Sequence, residues 1–165
     1  MVADAAGIAE GTIFRIFESK DQLFRAVLHD AFNPEPFLDA VDRIDLDQPL
    51  EDRLLEATRL LQQRFLEIFR VMTALAVPGP PPDANNPKLR KRLSLGGFTR
   101  LLQPDADRFR VPPEEVVRIL RLLTFSGSHP HISDQHTLTA EQIVDVVLHG
   151  TLRDVDSDSE QRGND

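Results

Sequence analysis

The chain has 165 residues, of which 41% are hydrophobic, and it carries no cysteine and a formal net charge of −8. That length and apolar content are enough for a packed core, while the lack of cysteine excludes disulfides, thiolate metal sites and cysteine nucleophiles. The first residues show no basic stretch followed by a long apolar run, and no apolar stretch approaches the roughly 20 residues that cross a bilayer. A cytoplasmic protein without a membrane partner is the expectation.

The acidic balance argues on its face against nucleic acid, but it averages over unlike segments. Residues 154–165, with Asp154, Asp156, Asp158, Glu160 and Asp165 against Arg162, read as an acidic disordered tail. Lys88, Arg90, Lys91, Arg92 and Arg100 form a basic stretch with no acid between residues 88 and 100.

In chain order, Ala3 to Ala6 read as a helix end and Gly7 as a tight turn. Glu10-Gly11-Thr12 opens a short helix on which Ile13 and Phe17, four apart, face inward. Ser19 caps the next helix with Gln22 as its capping-box partner, and Leu23, Phe24, Val27 and Leu28 give that helix a core face. Two short helices about a glycine turn, followed by a capped supporting helix, have the layout of a helix-turn-helix reader.

From Leu50 to Leu75 apolar residues recur at 50, 54, 57, 61, 65, 68, 72 and 75, the stripe of one long helix. Pro49 suits its first turn, and Pro78-Gly79-Pro80-Pro81-Pro82 ends it, opening a proline-rich loop over 78–87. A helix interrupted by Gly96-Gly97 is predicted from about 88 to 103. Another begins at Pro112-Pro113-Glu114-Glu115 and runs to about Phe125, closed by Gly127-Ser128-His129-Pro130. The last starts at Thr139, boxed with Gln142, and ends near Gly150. No strand-like alternation occurs, so the predicted class is all-α.

The run A-x-A-A-G-I-x-x-G-T-I-F-R-x-F-x-S-K-x-x-L, present as Ala3 through Leu23, resembles the TetR family of transcriptional repressors. The resemblance implies a helix-turn-helix DNA-binding domain at residues 1–32, incomplete at its N-terminus because the family places one helix and most of the next before Val2. A misassigned start or a truncated record is the expectation. It further implies an all-helical ligand-binding and dimerisation domain at 33–153.

Carried over by position, Glu10 to Phe17 would be the recognition helix in the major groove. Gly11 and Thr12 would hold a phosphate at its N-terminus, and Arg15 would reach a guanine edge or a phosphate. Phe14 stands where the family usually has tyrosine and offers an apolar surface to a thymine methyl. Ile16 occupies a position where an aromatic or histidine is common. Lys20 would clamp a phosphate. The implied partners are double-stranded DNA with a palindromic operator, a second copy of the chain and a small apolar effector. The rival reading is a dimerisation and ligand-binding module without DNA-binding activity.

Leu61, Phe65, Phe69, Met72 and Phe98 are candidates to line an effector pocket, although the same spacing also suits a solid core. The helices after Pro112 and Thr139 are apolar around most of their circumference, so each must be buried on more than one side. Val116, Leu120, Leu123, Ile143 and Val147 are the candidate dimer contacts. His129, His131 and His136 gather near Asp134, but their loop supplies no helix-anchored ligand pair, so no metal is expected. No phosphate-binding glycine loop, nucleophile elbow or H-E-x-x-H is present. Neither an enzyme nor a cofactor is expected.

Overall fold

The stripe at 50–75 becomes the axis of the molecule. In the computed structural model, residues 17–77 and 97–153 are described. Among them the helices are α1 (Lys20–Phe32), α2 (Glu35–Asp42), α3 (Leu50–Leu75), α4 (Gly97–Leu102), a 3-10 helix (Gln103–Arg108), α5 (Pro113–Ser128) and α6 (Ala140–Thr151). The described residues contain no strand, only one isolated bridge between Phe109 and Leu152. The fold is all-helical, as the sequence predicts.

Helix starts follow the capping residues. Pro49 and Pro112 precede α3 and α5, each with acids in the first turn, where they offset the helix dipole. Thr139 and Gln142 form the reciprocal capping box of α6. At α1, Ser19 Oγ accepts from the Gln22 N–H at 3.1 Å, but Gln22 Oε1 reaches back to the N–H of Glu18 rather than of Ser19. The box is shifted by one residue, and two donors at the helix start are still satisfied.

Helix α3 packs against α1, α2, α4, α5 and α6, and α5 and α6 pack against each other. The core is built from Leu54, Ala57 and Leu61 of α3, Val116, Val117 and Leu120 of α5, and Ile143, Val144 and Val147 of α6. Phe37, Leu38 and Val41 of α2 close it on one side together with Phe98, Leu101 and Leu102 of α4. The sequence reading passed over α2, although its buried residues fall at helical spacing. Gly97 is the first described residue of α4. A Cβ on it would stand 2.9 Å from Val41 Cγ1, so its absence lets α4 lie against α2. The remainder of the helix predicted from 88 lies outside the described residues.

Arginines finish several of these helices. Arg100, counted with the basic stretch in the sequence, donates to the carbonyls of Val41, Asp42 and Ile44 at the end of α2. Arg53, 2% exposed, donates to the Leu101 carbonyl at 2.6 Å and pairs with Asp105. Arg153 Nε donates to the Phe109 carbonyl at 3.1 Å. Helix ends leave carbonyls without intrahelical partners, and a cation there answers both the hydrogen-bond deficit and the dipole.

Candidate DNA-facing helix and effector cavity

Helix α1 is the described part of the stretch that carries the helix-turn-helix pattern. Glu10, Gly11, Thr12, Phe14, Arg15 and Ile16 lie outside the described residues. Lys20 is the first residue of α1, exposed, with its ammonium 5.1 Å from the centre of the Phe24 ring. A cation over a ring at an exposed site is worth about 0.5–1 kcal/mol, enough to orient the side chain and too little to hold it. Phe17 and Phe24 are half-buried, and no residue of α1 is fully buried.

What holds α1 to the body is Arg64 of α3. Its two terminal nitrogens donate to the carbonyls of Asn33 (2.8 Å) and Phe32 (3.2 Å), and its guanidinium lies 5.5 Å from the Phe37 ring centre. Burial lowers the Arg64 pKa, and neighbouring Glu67 opposes the shift. Arg64 joins the end of α1 to α3, and the sequence reading missed it. The available signal was its place three residues after Leu61 and four before Ile68, the spacing of the apolar stripe itself.

The five candidate pocket residues separate into two groups. Leu61 is buried in the core, and Phe98 is buried and stacked on Phe37 with ring centres 5.9 Å apart. Phe65 and Phe69 instead join Phe125 of α5 in edge-to-face pairs, with centres 5.3 and 5.5 Å apart. His129, the C-cap of α5, approaches the Phe69 ring edge-on at 4.4 Å. Phe69 and Met72 border an open surface depression of about 220 Å³ with Thr73, Ala76, Val77 and His129. The Nδ1 atom of His129 is buried and has no hydrogen-bond partner among the described residues. No group of three or more histidines and acids among the described residues is placed to hold a metal.

The dimer candidates are placed differently from the sequence expectation. Val116, Leu120, Ile143 and Val147 are at most 1% exposed within one chain, so their surface is already covered by α3 and by one another. Leu123 is half-buried against the core. On the outer face, Leu122 of α5 and Val146 of α6 are both 58% exposed, and Phe125 is 39% exposed. Period alone could not tell the inner from the outer side of helices apolar on most faces.

Residues 1–27 match the family model described as bacterial regulatory proteins, tetR family. No curated protein and no solved structure gives a match to the chain. The matched segment runs into α1, whereas α2 to α6 lie beyond it. No helix among the described residues is long and apolar enough to cross a membrane.

Proposed function

We propose that the protein is a ligand-responsive repressor that binds a palindromic operator as a homodimer in the cytoplasm and catalyses no reaction. The observation that carries this is the family match at residues 1–27, whose last part is the start of α1. In this reading Glu10 to Phe17 enter the major groove. Arg15 reads a base edge, Gly11 and Thr12 hold a phosphate at the helix N-terminus, and Phe14 and Ile16 offer apolar contact. Lys20 grips a phosphate from the first turn of α1. The second copy docks on the outer face of α5 and α6, around Leu122 and Val146.

Ligand response is supported by the path from the surface depression to α1. Phe69 borders the depression, and Arg64, five residues earlier on the same helix, holds the end of α1. An effector that prefers one seating of α3 against α5 therefore shifts the population of α1 positions, and with it the match of two recognition helices to successive grooves.

The test is selection from random DNA, run on the 165-residue chain and on a form extended upstream in the same reading frame. Enrichment of a palindrome by either form supports the reading. On that site Arg15→Ala should cost roughly 1–3 kcal/mol and relax one base position, whereas Lys20→Ala should weaken all sequences alike and flatten the salt dependence. No enrichment by either form, with both dimeric, would leave the interaction module without DNA-binding activity.

A further inference from the structure

We draw no further inference here: the strongest candidate, the open groove where the start of α3 meets the 3-10 helix and the end of α6, lined by Leu46, Leu50, Arg108, Leu148 and Leu152 among others, carries nothing because nothing among the described residues shows what covers it.

Discussion

The guanidinium of Arg64 on α3 donates to the main-chain carbonyl of Asn33, 31 residues earlier, at 2.8 Å. With the second bond to Phe32 it satisfies carbonyls that α1 leaves unpaired as it ends. Arg64→Met keeps the aliphatic stem and removes both bonds. Hydrogen bonds to charged groups contribute about 1.5–3 kcal/mol, and the loss should appear in urea unfolding at that size. Arg64→Lys should recover only part of it, because an ammonium cannot present the planar fork that meets two carbonyls. In the regulator reading, Arg64→Met should also weaken the effect of ligand on DNA affinity. A variant with unchanged stability would show that the two bonds contribute nothing to the seating of α1.

Gly97 and Val41 form a second testable pair. An added Cβ at Gly97 would lie 2.9 Å from Val41 Cγ1, closer than carbon atoms pack, so Gly97→Ala should destabilise by about 1–3 kcal/mol through overpacking. Val41→Ala removes the obstructing methyl and opens its own void, which carries a separate cost. Combined, the two changes should cost less than the sum of the singles, and the coupling is read from a double-mutant cycle in urea. Strict additivity would mean that α4 moves away from α2 instead of pressing on it.

The sequence made the long helix and its two neighbours legible because their signals are local. Pro49, Pro112 and the Thr139–Gln142 box act within one turn, and the stripe from Leu50 to Leu75 repeats often enough to fix its period. Helix α2 was harder because it is two turns long, with prolines around its first turn, and its core residues Phe37, Leu38 and Val41 make a short pattern. The sequence reading singled out neither Arg53 nor Arg64, and counted Arg100 only in a basic stretch. Their partners are carbonyls 31 to 59 residues away, and nothing in the local pattern marks such a bond. The candidate site was legible in the same uneven way. Met72 lies on the predicted stripe and Phe69 next to Ile68 of it, while His129 comes to them through the packing of α5 on α3.

Asp105 gives a pH signature. Partial burial alone would raise its carboxyl pKa, but hydrogen bonds from Arg108 and Arg53 win and hold it below the ordinary 3.8. A carboxyl with a depressed folded pKa contributes stability in full above its unfolded value, and loses it as pH falls through the folded one. Asp105→Asn should therefore cost about 1.5–3 kcal/mol near neutrality. The gap from the wild type should close progressively as pH drops below 3.8. Unfolding curves of both proteins down that acid range check it, and a constant gap would assign the cost to shape rather than charge.

Leu122 and Val146 carry the prediction about assembly. They stand on α5 and α6, helices packed side by side, and each is 58% exposed. Exposed aliphatic groups of this size on neighbouring helices are candidates for an interaction surface, and in the proposed homodimer a two-fold axis would set each against its copy. The exposed ion pair between Arg118 and Glu115 of α5 gives that helix a polar stretch nearer its start. Leu122→Arg should raise the dimer dissociation constant at least roughly tenfold, or 1.4 kcal/mol, with the helical circular dichroism intact, because the side chain already reaches solvent in one chain. Val147→Arg is the contrasting change. Val147 is 1% exposed inside the chain, so a charge there should unfold the protein rather than separate the copies. Sedimentation velocity and thermal unfolding on the two variants distinguish these effects. If Leu122→Arg leaves a folded dimer of unchanged affinity, the second copy docks elsewhere.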